Sequence, residues 1–388
     1  MDLMQWVALA VFVVTILVVI SNVVDNAVAA MIGVAVMVWI GVMSEVDAFQ
    51  YVDWNVMAIL VSIWVIAGYF GKTGVPSWLA LQALRLSGGR PGLLVMLLSM
   101  LAGVISMFVD NVVTILMMAP VALPLARALS IPITPLILMI GFSANFMGTA
   151  LLLGDLPPQM LHSVSGAEFG DFIWQFGRPS SFPILMVTFA IALGAMYAYG
   201  FRAIGRRAAS VGDVGIEAKI PDPLFATLVV GWFLLTVMGM AFREALQMKL
   251  GFIALTGAVT LVLLLELLGK RVKAPKFEEI IQELDWRAIF FYIALFALVG
   301  GLEKMKLLEL LAHGLTPIFQ ENLALGATLL FWATVPIVGL VEHDAYILTF
   351  LYTIRDLKGA GVDPWPLWWM LVWSGTLGSN LTIAGAPA

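Results

Sequence analysis

The sequence predicts an all-α polytopic membrane protein made of two inverted repeats, each carrying a re-entrant hairpin and a discontinuous helix. The last helix of the second repeat is expected to be missing. Three observations predict this: an apolar composition, the sides on which basic residues fall, and two similar segments 232 residues apart.

Of 388 residues, 62% are hydrophobic and 12% charged, against about 45–50% and about 25% in a soluble domain. One soluble core cannot bury that much apolar surface, so lipid is the solvent. The runs Trp6–Ile20, Ala27–Met43, Trp54–Phe70, Leu93–Phe108, Ile184–Tyr199, Leu224–Ala241, Gly251–Leu268 and Ile289–Val299 approach the roughly 20 residues that cross a bilayer as helix. The alternating ten-residue pattern of an outer-membrane β-barrel is missing, so the spans are helices; the chain is expected in the cell inner (cytoplasmic) membrane. The chain has no cysteine and three histidines, His162, His313 and His343. Disulfides, thiolate metal sites and cysteine nucleophiles are therefore excluded, and without HExxH or CxxC spacing neither zinc chemistry nor an intramembrane enzyme is expected. No cofactor and no nucleic-acid partner is implied. The first twenty residues lack a basic n-region and read as a first helix, not a cleaved signal.

Basic residues gather at Lys72/Arg85/Arg90, at Arg127, at Arg202/Arg206/Arg207/Lys219 and at Lys270/Arg271/Lys273/Lys276, whereas Ser44–Asp53 is acidic. The positive-inside rule puts these clusters in the cytoplasm and Ser44–Asp53 outside, with the N-terminus outside. Arg90 and Arg127 then share a side, although Leu93–Leu125 between them is apolar apart from Asp110, Asn111 and a few hydroxyls. Two arms meeting at Asp110–Asn111 form a hairpin that enters and returns, allowed only where protein or a water-filled cavity surrounds its tip.

Val52–Ala80 aligns without gaps on Leu284–Ala312, sharing Asp53/Asp285, Trp54/Trp286, Gly68/Gly300, Lys72/Lys304, Leu79/Leu311 and Ala80/Ala312. The same offset carries Phe108–Asn111 onto Leu340–His343. Trp54–Phe70 runs inward and Ile289–Leu302 outward, so the copies are inverted, the arrangement of alternating-access transporters with substrate held between repeats. The second hairpin is expected to enter from outside with its tip at Glu342–Asp344, flanked by Glu321/Asn322 and Arg355/Asp356/Lys358.

Asp110, Asp155, Glu342 and Asp344 are acids placed within the membrane, where a carboxylate is expensive and functional by default; the alternative is that they cap broken helices or pair with His343 or Arg355. Pro157–Pro158 leave open an outer-loop position for Asp155. Two small-polar runs interrupt apolar helices, 141–155 with Asn145, Gly148, Thr149 and Gly154, and 375–386 with Gly378, Ser379, Asn380, Thr382 and Gly385. Glycine permits unwound backbone whose carbonyls, with Asn, Ser and Thr oxygens, can hold a desolvated ion; close helix packing is the alternative. The thirteen tryptophans, including Trp365, Trp368 and Trp369, read as an interfacial belt. His162 and His313 read as loop residues, and Glu278, Glu279 and Asp285 as part of an amphipathic lead-in to the next span.

In order along the chain, VDW…G…LA (52–80), FVDNVVTILMMAP (108–120), SANFMGTALLLGDLPP (143–158), LDW…LVGGLE…LA (284–312) and GSNLTIAGA (378–386) resemble the ArsB/NhaD permeases, arsenite exporters and sodium–proton antiporters of the ion transporter superfamily. The resemblance implies a scaffold and a transport unit of two hairpins and two unwound helices, coupled to sodium or protons and often dimeric. It implies N-terminal scaffold helices at 1–50, a first repeat at 51–200 with hairpin 93–129 and unwound helix 135–155, and a linker at 201–222. Scaffold helices and a cytoplasmic loop then occupy 223–283, and the second repeat 284–388 carries hairpin 323–357 and unwound helix 367–388. By motif position Asp110, Asn111 and Thr114 fall at the first hairpin tip, Asn145, Gly148, Thr149 and Asp155 in the first unwound segment, and Ser379, Asn380 and Thr382 in the second. Sodium is expected at Asp110, Asn111, Asn145 and Asn380. The family's second tip usually carries another Asp–Asn pair, where this chain has Glu342–His343–Asp344. By analogy with 156–200, about one further helix is expected beyond Ala388. The expected partners are membrane lipid, a small inorganic ion and a second copy in a homodimer. A citrate-like anion carrier and a truncated, non-transporting subunit are the competing expectations.

Overall fold

A computed structural model describes residues 1–21, 23–202, 220–340 and 343–382. Glu342, Gly385 and most of the expected linker, including Arg206, Arg207 and Lys219, lie outside the described residues.

The described residues are mostly helical. In order come α1 (Leu3–Ser21), α2 (Asn26–Ile40), α3 (Glu45–Gln50), α4 (Trp54–Lys72), α5 (Val75–Ser87), α6 (Pro91–Ser106), α7 (Asn111–Ala128), α8 (Ile133–Gly148) and α9 (Leu156–Ser165). A two-stranded ribbon follows, β1 (Trp174–Gln175) antiparallel to β2 (Arg178–Pro179). Then come α10 (Ser181–Met196), α11 (Pro223–Ala241), α12 (Arg243–Leu246), α13 (Leu250–Leu268), α14 (Phe277–Gln282), α15 (Trp286–Lys304), α16 (Leu307–Glu321), α17 (Leu323–Val338), α18 (His343–Leu357) and α19 (Trp365–Gly378). Among the described residues seven helices are long and apolar enough to cross a membrane.

Local chemistry sets these boundaries. Asp53 starts α4 by accepting from the backbone N–H groups of Asn55 and Val56, each at 2.9 Å, and Asp285 does the same for α15 from Ala288 at 3.0 Å. Asp110 and Asp222 cap α7 and α11, and Pro91 opens α6, where its missing N–H costs nothing. Gly41, at φ +85°, ends α2 in the left-handed conformation that glycine reaches without a steric penalty.

The helices repeat with a fixed stagger. The first residues of α3, α4, α5, α6, α7 and α8 are 45, 54, 75, 91, 111 and 133, and those of α14 to α19 are each 232 higher. Six consecutive starts at one offset are a stronger statement of internal repetition than the six shared residues of the sequence alignment.

Contacts divide the chain into two units whose borders cut across these repeats. Of the described residues, the first unit contains those within 1–57, 156–167 and 285–382, and the second those within 58–155 and 168–284. In the first, α15 packs on α1, α2 and α3, α17 on α19, and α18 against α9, α15, α16 and α19. In the second, α6 packs along α8, with α7 on both, and α11 pairs with α13. Segment 156–167, expected within the first repeat, packs with the first unit because α9 buries Leu156, Gln159, Met160, Leu161 and His162 there.

Three expectations are corrected. His162 is not a loop residue: it lies buried on α9, its Nδ1 2.7 Å from the Ala167 carbonyl. His313 is likewise helical, on an exposed face of α16 near Glu309. Trp368 and Trp369 leave the interfacial belt for the interior of the first unit, because α18 covers this face of α19 and Leu351 there accepts from Trp368 Nε1 at 3.2 Å.

Candidate functional site

Within the second unit the polar residues of the first repeat converge. Helix α6 ends at Ser106 and α7 begins at Asn111, so the hairpin turns through Met107–Asp110. Asp110 Oδ1 accepts from Val112 N at 2.9 Å and Val113 N at 3.4 Å, satisfying two of the donors a helix start leaves unpaired. The adjacent Asn111 Nδ2 donates to Asn145 Oδ1 at 3.1 Å and to Asp155 Oδ2 at 3.2 Å. One amide thereby ties the hairpin tip to both sides of the break after α8.

That break runs from Thr149 to Asp155, non-helical and buried throughout. Gly154 makes it possible: a Cβ there would overlap the carbonyl oxygens of Ser106 and Gly148 and come within 3.0 Å of the Met107 carbonyl carbon. Gly148 faces Asp155, whose Cβ lies 3.2 Å from where a Cβ would stand. Asp110, Asn111, Thr114, Asn145, Thr149 and Asp155 are all at most 4% exposed. Asp155 is therefore interior, not part of an outer loop. Helix α9 begins immediately after it because prolines fit a helix's first turn. Thr114 Oγ1 donates to the Val109 carbonyl at 3.2 Å, and Ser181 Oγ to the Thr149 carbonyl at 2.8 Å.

Five buried hydroxyls in this unit, Ser62, Ser99, Ser106, Ser143 and Thr149, have no hydrogen-bond partner among the described residues. A buried hydroxyl without a partner costs about 1–3 kcal/mol; of the five, Ser143 and Thr149 lie in the 141–155 run and Ser106 ends α6. Neither Ser106 nor Ser143 was a sequence candidate. Ser143 lies inside the 141–155 run; Ser106 carries no local signal beyond being a hydroxyl in an apolar helix. Asn145 Oδ1 and Asp155 Oδ2, both accepting from Asn111 Nδ2, are oxygens of the kind that suit a hard cation.

The first unit carries the second repeat's candidates. His343 and Asp344 open α18, each 1% exposed, with His343 Nε2 3.3 Å from Asp344 Oδ1. Helix α19 ends at Gly378 and passes through a 3-10 turn, Ser379–Leu381. Ser379 Oγ donates to the Thr376 carbonyl at 2.7 Å and Asn380 Nδ2 to the carbonyls of Thr376 and Leu377, both at 3.4 Å. Thr382 Oγ1 donates to the Gly339 carbonyl, joining this turn to the end of α17. Gly378 permits that approach, since a Cβ would stand 2.8 Å from Val335 Cα.

A family model described as citrate transporter (CitMHS) matches residues 7–373. An uncharacterized transporter of Mycobacterium tuberculosis (strain H37Rv) is 28% identical, covering 99% of this chain and 89% of that protein. An uncharacterized transporter of Synechocystis is 25% identical over 98% of this chain and 87% of its own length. The magnetosome protein MamN of Magnetospirillum gryphiswaldense is 25% identical over 99% and 86% respectively.

Proposed function

The chain belongs to the citrate transporter (CitMHS) family, a family of secondary transporters within the ion transporter superfamily, and from that premise we propose that it moves a small inorganic ion by alternating access, coupled to sodium or protons. The reading is sodium–proton antiport or arsenite efflux, as the ArsB/NhaD resemblance suggests. The protein lies in the inner membrane with its N-terminus outside, and works as a homodimer. Each repeat contributes a polar break: Asp110, Asn111, Thr114, Asn145, Gly148, Thr149 and Asp155 from the first, and His343, Asp344, Ser379, Asn380 and Thr382 from the second. Glu342 belongs with the second set by sequence position.

One observation carries the reading. Asn111 joins the hairpin tip to Asn145 and Asp155 in a buried, carboxylate-containing cluster. An excess of acid over base favours a cation there. Citrate is the second reading, favoured by the description of the matching family model. It would seat a carboxylate on a half-helix N-terminus. At α7 that position is already filled by the chain's own Asp110 carboxylate, which weighs against it.

The experiment is flux into proteoliposomes containing the purified chain, with sodium, arsenite and citrate tested separately. Sodium or arsenite flux should fall about tenfold or more in Asp110→Asn, as loss of about 1.4 kcal/mol of binding free energy requires. Citrate uptake indifferent to that substitution would overturn the cation reading.

A further inference from the structure

We infer that His343 and Asp344 hold one transported proton between them, so that the second repeat carries the proton while the first binds the cargo ion. This rests on the ion-coupled reading above and divides the labour within it.

The repeat supplies the first argument. Helices α7 and α18 start 232 residues apart, which places His343 where the first repeat has Asn111. Asn111 is an amide that never changes protonation and spends both amide hydrogens on Asn145 and Asp155. His343 brings to the same position an imidazole, a group that gains and loses a proton near neutral pH. Asp344 follows it, Oδ1 3.3 Å from Nε2, where the first repeat has Val112.

Burial supplies the second. Both residues are 1% exposed. With one proton the pair is electrically neutral overall, whether as imidazolium–carboxylate or as imidazole–carboxylic acid. Without it the pair carries a net negative charge, which burial disfavours. The proton therefore departs when water reaches the pair or another cation replaces it, the exchange that coupling requires.

Other titratable groups lie on the elements packed around α18, and Glu342, which precedes the pair, lies outside the described residues. Of the elements packed on α18, α19 carries no titratable side chain and α9 only His162, whose Nδ1 is engaged by Ala167. Helix α16 carries Glu309, His313 and Glu321, and α15 carries Arg287, Tyr292, Glu303 and Lys304. On α18 itself lie Tyr346, Tyr352, Arg355 and Asp356, with Lys358 beyond. Arg287 pairs with Asp25. Glu303, Lys306, Glu309, His313, Arg355, Asp356 and Lys358 line a cavity of about 810 Å³; Arg355 is twelve residues along α18 from His343, about 18 Å of helix.

The chain's three histidines make the test direct. Full-length protein with 15N-labelled histidine is titrated by NMR in lipid nanodiscs, the His343 signal being assigned by its loss in His343→Asn. Followed between about pH 5 and about pH 9, the His343 signal is expected to depend on pH and that dependence to change in Asp344→Asn, while the signals of His162 and His313 are the same in both proteins. A His343 signal constant over that range, or unmoved by Asp344→Asn, overturns the proposal. In proteoliposomes enclosing a pH-sensitive dye, His343→Asn should abolish sodium-driven proton movement. Retained proton movement overturns it as well. Absence of sodium exchange in the wild type would count against sodium as cargo, and the NMR titration would still decide the proton site.

Discussion

Lys72 Nζ, at the end of α4, lies 2.5 Å from Glu283 Oε1, just past α14. One repeat further on, Lys304 at the end of α15 pairs with Asp47 in α3. Each repeat's first long helix thus finishes beside the short helix that leads into the other repeat's first long helix. The backbones close up where they do so. A Cβ on Gly68 would come 2.9 Å from Ile280 of α14, and one on Gly300 would overlap Tyr51 at the end of α3.

For inverted copies these two fastenings belong on opposite membrane faces. The absence of cysteine makes Lys72→Cys and Lys304→Cys unique reporters. A membrane-impermeant maleimide applied to intact cells should label Lys304→Cys at once, and Lys72→Cys only after the membrane is opened. Labelling of both from the same side would sink the inverted reading.

Asp47 also predicts a pH response. The Lys304 ammonium, then the Ser44 hydroxyl and backbone N–H, hold its carboxyl down to about 2 from an ordinary value of 3.8. A carboxyl lowered in the folded state contributes stability above its unfolded pKa and loses it as pH falls through the folded one. The melting temperature of the wild type should therefore exceed that of Asp47→Ala by the same margin at about pH 5 and about pH 7, and the margin should close near pH 2. A margin that persists there would mean packing, not charge, makes the contact.

How much of this was legible in the sequence depends on how local the cause is. Asp110–Asn111 inside an apolar run marks the turn between α6 and α7, because an acid and an amide there are costly unless they cap and bond. Gly148 and Gly154 mark the break after α8 for the same reason of local necessity. Helix α9 was hidden: Pro157–Pro158 look like loop, yet they occupy a first turn, and the burial of Gln159 and His162 comes from α18 and α19, some two hundred residues away. The exchanged fastenings were hidden too, since no pattern along the chain links Lys72 to Glu283. The Ser106 carbonyl meets the break at Gly154 only once α6 and α8 pack together.

Tyr51 and Gly300 should behave as one contact. The ring of Tyr51 sits where a Cβ on Gly300 would go, and a tyrosine ring has little freedom to retreat. Gly300→Ala should destabilise the fold by about 1–3 kcal/mol through overpacking, and Tyr51→Ala in the same chain should restore part of that loss. A double-mutant cycle on thermal unfolding measures the coupling; simple additivity would show that the two residues do not share space.

Asn111→Ala removes two buried hydrogen bonds, to Asn145 and Asp155. Stripping a partner from buried polar groups costs about 1–3 kcal/mol, so the melting temperature should fall. If the cluster holds sodium, added sodium should raise the wild-type melting temperature by mass action, and this protection should vanish in the variant. Equal protection in both would remove Asn111 from the ion site.

Gly154 gives the sharpest steric test. The atoms that a Cβ would meet are the backbone oxygens of Ser106 and Gly148, and backbone cannot rotate aside as a side chain can. Gly154→Ala must therefore push the break away from the end of α6, carrying Asp155 off Asn111. Serine at this position should do the same, its hydroxyl giving no relief. Both variants should lose ion flux by about tenfold or more, equivalent to about 1.4 kcal/mol, while glycine-to-alanine changes at Gly194 and Gly231, where nothing lies within 4 Å of a Cβ, leave flux near the wild-type level. Full flux in Gly154→Ala would mean that the close approach of the break to the hairpin tip is not needed for transport.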